Sequence, residues 1–473
     1  MVDAHTRGHG ALEALVVEIA RDVRRAGGRA LLVGGWVRDR FLNPGGAAAA
    51  PQVPDADVEV FGLTLVDLET LLSRHGEVIA VGRAFGVLRL KGIDVDFSLP
   101  RRDSKVTPGH RGFDVQCDPD LDFATAALRR DLTINSMALD PLTGELLDPH
   151  GGRADLAAGV LRATDPAHFP EDPLRALRVA RFAGRFEMVA DETVVALCRD
   201  LDLAELSPER IFGEFVKLLV RGRRPSLGLE FLARTGLIRF FPELARLIGA
   251  VQEPEWHPEG DVWVHTLMVV DQAAGLRRGD GDDAALMFGA LCHDLGKPET
   301  TVERDGRIRS PGHDVRGVAC ATAFLNSLRA PGRLVTRVAM LVRHHLAPGA
   351  FVRNGATARA YRRLARQCAA AGVSLDLLLR VSRADSLGRT TPDALAGAHP
   401  AGDLFAARAA KLLVDRAGPT DVVLGRHLIA RGLTPGPAFG PLLARCRQVQ
   451  DETGSSDPEE ILDRVLASGT GTV

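Results

Sequence analysis

Two aspartates on alternate residues, Asp55 and Asp57 in PDADVEVF, and the glycine pair Gly34-Gly35 in LLVGGWVRDRFLN carry the densest chemistry of the chain. Leu31–Val33 reads as the end of a buried strand, broken by the glycines and followed by a short helix that opens with Val37, Arg38 and Asp39. Along a strand, residues two apart project from the same face. Asp55 and Asp57 are therefore expected to point together, beside a turn whose backbone N–H groups can meet a phosphate. Co-facing carboxylates hold divalent cations, and two such cations can activate an attacking hydroxyl and neutralise a triphosphate. Glycines for the phosphates and Asp-x-Asp for the metals make the minimal apparatus of nucleotidyl transfer.

GGWVRD followed by DAD resembles the nucleotidyltransferase head of the bacterial tRNA nucleotidyltransferase (CCA-adding) and poly(A) polymerase family. The resemblance implies that Asp55 and Asp57 are catalytic and bind Mg2+, and that Gly34, Gly35 and Arg38 belong to the nucleotide site. It also places Asp96, in GIDVDFSLPRR, as a third acidic residue near the metals, with Asp94 on the same strand face. A second motif, LRRDLTINSM, matches the segment that lines the family's nucleotide pocket: Arg129, Arg130, Asp131, Thr133 and Asn135. The residue types suit that role. Arginine fans donors onto phosphate oxygens, while Asp and Asn can bond ribose hydroxyls.

Glu171-Asp172-Pro173-Leu174-Arg175 speaks most directly to substrate choice. Asp172 before Pro173 reads as a helix cap with Pro in the first turn, and Asp172 and Arg175, three apart, are neighbours on one helix face. Together they offer an acceptor beside a fork of donors. Cytosine and adenine both present an exocyclic amino donor next to a ring-nitrogen acceptor; guanine and uracil present the reverse. Such a pair accepts C and A, and each wrong partner leaves polar groups unpaired at about 1–3 kcal/mol each. This EDxxR segment matches the family's protein-template motif, which implies choice of C and A without a nucleic-acid template. Arg178, Arg181 and Arg185 continue along the helix and can follow RNA phosphates. Arg210 in SPER matches a family position that buttresses the template helix, and Arg221, Arg223 and Arg224 form a compact basic cluster.

From His257 the vocabulary changes to histidine and aspartate at wide spacing: WHPEGDVWVHTL, ALCHDLGK, SPGHD, VRHHL and SRADS. This resembles the HD metal-dependent phosphohydrolase superfamily, with His265, His293, Asp294 and Asp385 as ligands of a divalent metal and His313, His344 and His345 around it. Imidazole with carboxylate suits a transition metal or Mg2+ with positions open to water and phosphate.

The elements that must position these groups follow in order. Residues 12–27 read as an amphipathic helix, 43–54 as a flexible loop, LTLVDLETLLSRHG as a helix, and VIAVGRAFGVLRL with GIDVDFSLPRR as strands. Residues 103–113 have loop composition, DPHGG matches a family turn that joins the head to the next domain, and helical periodicity dominates beyond Asp172. With 473 residues, 45% hydrophobic and 25% charged, the chain exceeds one compact core. A net charge of −2 excludes a protein basic all over, so a nucleic acid would be gripped by local arginine clusters. No apolar run reaches membrane-spanning length, no signal-peptide core opens the chain, and six scattered cysteines form no CxxC pair. That pattern predicts reduced thiols, a cytoplasmic location and no membrane partner.

The expected architecture is a mixed α/β nucleotidyltransferase head over residues 1–165, then a helical neck and body with the base-template helix over 166–250. An α-helical HD domain over 251–395 and a helical tail over 396–473 complete it. The resemblance implies addition of CCA to the 3′ end of tRNA from CTP and ATP, with an accessory HD phosphohydrolase. Poly(A) polymerase and C-only or A-only tRNA enzymes share these motifs, and a nucleotide-directed HD phosphohydrolase with an RNA-binding head is the reading from another class.

Overall fold

β1 (Arg29–Val33) is the strand on which the first unit is built: four of its five residues are buried, as expected of an apolar run ending in Gly34. In the computed structural model, which describes residues 4–42, 56–82, 86–105 and 113–467, the chain divides into two units. The first is Met1–Leu218 with Leu227–Phe240, the second Leu219–Ser226 with Phe241–Val473.

In the first unit, α1 (Ala4–Arg25) packs on β1, and α2 (Gly35–Leu42) begins directly at the glycine pair. Then come β2 (Ala56–Phe61), α3 (Leu65–Leu72) capped by the Thr64 hydroxyl, β3 (Val78–Gly82), β4 (Val87–Leu90), β5 (Val95–Ser98), β6 (Arg101–Lys105) and β7 (Phe113–Cys117). α4 (Phe123–Ala127), β8 (Ala138–Leu139), β9 (Leu146–Leu147) and α5 (Gly152–Ala158) close the head. Seven strands form one sheet in the order β3-β4-β5-β2-β1-β8-β9. β2 runs antiparallel to β1 and parallel to β5, and the register sets Asp57 opposite both Val33 and Asp96. The turn after β1 and the two acidic strands are thereby brought to one place. Leu31 and Val33 bury against Phe123, Ala127 and Ala138, so the RRD segment that follows α4 is held against that core.

β10 (Val160–Leu161) pairs in parallel with β11 (Val189–Ala190) around α6 (Leu174–Phe186). α6 buries Ala176, Leu177, Val179, Ala180, Phe182 and Ala183 and leaves its arginines on the other side, the amphipathic division that drives a helix onto a core. α7 (Glu192–Arg199), α8 (Pro208–Arg221) and α9 (Pro225–Arg234) follow, and α10 (Pro242–Ala245) falls in the second unit.

In the second unit, α11 (Val262–Gly275) leads into α12 (Asp283–Cys292), which is apolar all round and buried on every face. It packs against α11, α15 (Gly332–His344) and α18 (Leu375–Leu387). Between them lie α13 (Lys297–Thr300), the hairpin β12 (Val302–Arg304) and β13 (Arg307–Arg309), α14 (His313–Ser327), α16 (Ala347–Arg353) and α17 (Ala358–Ala370). α19 (Pro392–Leu395) and α20 (Pro400–Lys411) follow; α21 (Gly425–Ala430), α22 (Phe439–Thr453) and α23 (Pro458–Ala467) close a small core of their own around Leu428, Ile461 and Leu462.

The architecture is the mixed α/β head followed by helices that the motifs imply. Three local expectations change. The first helix starts well before residue 12. Residues 103–105 and 113 lie in the paired strands β6 and β7, because cross-strand backbone bonding overrides loop-like composition. Asp172 is extended just outside α6 and accepts from the Leu174 N–H at 3.1 Å, so it closes an Asx-type turn and Pro173 takes the cap position. The loop 43–54 lies outside the described residues.

Candidate active sites

Gly34 has φ +70°, and a Cβ there would lie 3.1 Å from Arg130 Nη1 and 3.6 Å from Asp57 Oδ2. Only glycine both adopts that backbone and leaves this cradle open. Asp57 is exposed on β2; Asp96, its register partner on β5, accepts two bonds from Arg89, at 2.6 and 2.9 Å. Asp55 lies outside the described residues. Hard carboxylate oxygens beside an open glycine turn fit a divalent cation such as Mg2+.

Arg129 and Arg130 converge on Glu59, a carboxylate two residues along β2 from Asp57 and fully shielded from solvent. Arg129 donates to one oxygen at 2.8 Å and Arg130 to the other at 3.1 Å. Burial alone would raise the Glu59 pKa, but the two guanidiniums outweigh it and hold the group ionised.

Asp131 accepts from the Leu132 N–H, from Asn135 Nδ2 at 2.8 Å and from Arg178 Nε at 2.5 Å. Burial pushes its carboxyl up, and Arg178 and Asn135 more than reverse this, holding it well below the usual carboxylate range. Asn135 Oδ1 accepts from Arg38 at 2.5 Å. Arg38 is only 4% exposed, bonds Asp39, and stacks over Phe182 and Phe186 of α6 at 5.1 and 4.7 Å. The sequence placed Arg38 among nucleotide-binding groups. In the structure Arg38 donates to Asp39 and Asn135 and braces α2 against α6. Arg181 pairs with Glu214 at 3.1 Å, and Arg185 with Asp39 at 3.2 Å.

Asp172 and Arg175 are not bonded to each other. Arg175 donates to the carbonyls of His168 and Arg129, both at 2.9 Å, while Asp172 accepts from Leu174 N–H and from Arg210 at 3.3 Å. A guanidinium has five N–H donors and a carboxylate about four acceptor sites. Both groups keep capacity for a base edge, and the Arg129 carbonyl ties Arg175 to the RRD segment.

In the second unit, His293 and Asp294 directly follow α12. The Asp294 carboxylate lies 3.8 Å from His265 Nε2, 3.1 Å from His293 Nε2, 3.4 Å from His313 Nε2 and 4.0 Å from His345 Nε2. Asp385 of α18 sits 3.2 Å from His265 Nε2. The other nitrogens fix the tautomers. Nδ1 of His293, His313 and His345 faces the carbonyls of Ala290, Ser310 and Val342 at 2.7–2.8 Å; carbonyls only accept, so each Nδ1 carries the proton. His265 Nδ1 faces Glu259 at 2.8 Å. The Nε2 atoms turn toward one another at 3.3 Å, both between His265 and His293 and between His313 and His345. Two pairs of ring nitrogens this close to buried carboxylates make a donor set that fits divalent metal, with Asp294 common to both histidine pairs. Lys297, 2.7 Å from Asp294, and Arg389, 3.0 Å from Asp385, compensate the carboxylates.

The cluster opens into a cavity of about 520 Å3 whose walls include Trp256, Lys297, Arg353 and Arg389. A Cβ on Gly296 would lie 2.1 Å from the His313 carbonyl oxygen and 2.6 Å from the Gly317 nitrogen. The glycine of HDLGK thus lets α14 bring His313 to Asp294. Gly296→Ala is expected to displace α14 and cost at least about 1–3 kcal/mol of stability. Thermal unfolding with and without Mn2+ measures this: the wild type gains from the bound ion, and G296A unfolds at a lower temperature with little gain. An unchanged midpoint and gain would contradict the packing argument.

His344, expected near the metal, is half-buried away from the cluster, and His345 is its inward neighbour. Glu59 and Glu259 were not singled out by sequence. Glu59 shares the strand face of Asp57, and Glu259 sits between His257 and His265, 2.9 Å from Nδ1 of the first and 2.8 Å from Nδ1 of the second.

Residues 30–162 match the family described as Poly A polymerase head domain, 189–248 the Probable RNA and SrmB- binding site of polymerase A, and 262–387 the HD domain. The Multifunctional CCA protein of Thioalkalivibrio sulfidiphilus is 41% identical over 322 residues, 66% of this chain and 74% of that protein. That of Laribacter hongkongensis is 38% identical over 371 residues, 76% and 84% of the two chains. Among solved structures, the Bacillus stearothermophilus CCA-adding enzyme in complex with CTP is similar with TM-score 0.64 at 21% identity, covering 96% of each chain. The Thermotoga maritima CCA-adding enzyme complexed with tRNA gives TM-score 0.59 at 19% identity, covering 96% of this chain and 95% of that one.

Proposed function

Because the chain belongs to the family of multifunctional CCA proteins, we propose that it adds C, C and A to the 3′ end of tRNA from CTP and ATP, without a nucleic-acid template. The observation that carries this is the cradle at Gly34, where Arg130 and Asp57 face one open turn within 4 Å. Asp55 and Asp57, supported by Asp96, would hold Mg2+, which would neutralise the triphosphate and favour ionisation of the tRNA 3′-hydroxyl for in-line displacement of pyrophosphate. Gly34 and Gly35 offer backbone N–H groups to the phosphates, and Arg129 and Arg130 supply charge-assisted donors. Asp131 and Asn135, braced by Arg178, face the ribose; Arg181 stiffens α6 through Glu214. The cytoplasm is the expected location: among the described residues no helix is long and apolar enough to cross a membrane, and the cysteines are free.

Asp172 and Arg175 read the base. Asp172→Ala or Arg175→Ala removes one side of the C/A-selective edge, worth about 1–3 kcal/mol per wrongly paired group. Discrimination against G and U should fall by about 10- to 100-fold, more than the rate of correct addition falls. Single-nucleotide incorporation on tRNA lacking its terminal residues checks this; unchanged preference would refute the reading role.

The second unit is proposed as a phosphohydrolase. Four converging Nε2 atoms and two carboxylates fit a divalent metal, and the adjoining cavity with Lys297, Arg353 and Arg389 suits a phosphate ester, such as one carrying a 2′-phosphate. Metal-dependent hydrolysis that survives loss of Asp57 is the test.

A further inference from the structure

Glu59 stands in the PDADVEVF stretch but outside its Asp-x-Asp pair, and it is fully buried, on the same face of β2 as Asp57, with a guanidinium on each oxygen. A carboxylate in that position is retained against a large desolvation cost only through its partners. Arg130 reaches further: its Nη2 is on Glu59, while its Nη1 lies 3.1 Å from the point where a Gly34 Cβ would sit, and Asp57 Oδ2 lies 3.6 Å from that same point. Arg130 therefore has two carboxylates of one strand within reach. If Asp57 took it, a fixed cation would occupy the place that divalent metal needs. Glu59 holds it by Nη2 instead. Arg129 is drawn to the other oxygen, and its carbonyl in turn carries Arg175.

We propose that Glu59 is a positioning residue of the transfer centre: it sets Arg129 and Arg130 as a paired anchor for the nucleoside triphosphate and keeps Arg130 from closing on Asp57. The inference rests on the reading of the first unit as a nucleotidyltransferase. Glu59 itself touches neither nucleotide nor metal. One negative charge against two positive ones leaves the pair a net positive face for phosphate, and the two-armed bond removes the rotamer freedom that each arginine would lose on binding.

Glu59→Gln keeps shape, removes the charge and sets an amide N–H2 against a guanidinium. Glu59→Asp keeps the charge but is too short to span both arginines. CTP and ATP binding, measured by calorimetry in Ca2+ without turnover, is expected to weaken by at least about tenfold in E59Q and about three- to tenfold in E59D, the scale of a lost charged hydrogen bond. The Mg2+ concentration for half-maximal incorporation rises with it, while the rate at saturating Mg2+ and nucleotide and the affinity for tRNA stay within about threefold. If Glu59 acts through Arg130, E59Q adds less than about twofold in an Arg130→Ala background. Wild-type nucleotide affinity and Mg2+ dependence in folded E59Q overturn the proposal, as do fully additive losses. Should E59Q not fold, E59D at wild-type affinity overturns it equally. A wild-type protein that incorporates nothing defeats the nucleotidyltransferase reading; an active wild type indifferent to Glu59 defeats only this inference.

Discussion

Asp57→Ala is expected to abolish incorporation of both C and A, by about 10^3- to 10^4-fold, because metal stabilisation of transferring phosphate is worth several kcal/mol and each 1.36 kcal/mol is tenfold in rate. Both nucleotides fail together, since one carboxylate site serves every round. Folding should survive: Asp57 is exposed on β2, its truncation leaves no cavity in the core, and Glu59 still holds the two arginines. Incorporation on tRNA ending before CCA, alongside thermal unfolding, measures both halves. Activity within about tenfold of wild type in a folded variant would remove Asp57 from the proposed mechanism, since even one lost charged interaction is worth more.

Asp294→Asn is expected to remove hydrolysis of phosphate esters by about 10^3-fold, again several kcal/mol, and to lower the protein's content of bound divalent metal. Asp294 is the acid shared by the two histidine pairs, 3.1–4.0 Å from all four Nε2 atoms. Burial pushes its carboxyl up, and His293 and Lys297 more than reverse this, so the negative charge is present to hold a cation. Asparagine keeps the volume around Lys297 and removes that charge, whereas alanine would strand a buried ammonium at about 3–5 kcal/mol. CCA addition should stay within about twofold, the ordinary scatter of a change that touches no group of the transfer centre. Retained metal and hydrolysis in Asp294→Asn would contradict the histidine cluster as the hydrolytic centre.

Much of this was legible because the chemistry sits in short segments. Gly34 and Asp57 are joined by one strand pairing, so GGWVRD and DAD announce the head directly. His293 and Asp294 are adjacent in sequence at the end of a helix whose apolar run is itself a signal of burial. What stayed hidden depends on which face is turned inward. Glu59 reads as one more acid on a strand; its role emerges only when α4 carries Arg129 and Arg130 back over β2, across about seventy residues. Arg38 reads as a free donor until Phe182 and Phe186 cover it. His345 could have been preferred to His344 from spacing alone: with Val338, Leu341 and Val342 it completes the buried stripe of α15, and His344 falls about 100° off that stripe. The β6–β7 pairing left no apolar signature, because its bonds are between backbones.

The central claim, that the first unit builds CCA, is tested most directly by extension of tRNA transcripts ending before CCA, after C and after CC, with each nucleoside triphosphate offered singly and in mixture with Mg2+. Addition of C, C, then A, and a stop is expected, with no incorporation of G or U. Long A tails would mean a poly(A) polymerase, C without A or A without C a divided-labour enzyme, and no incorporation by folded protein would contradict the claim outright.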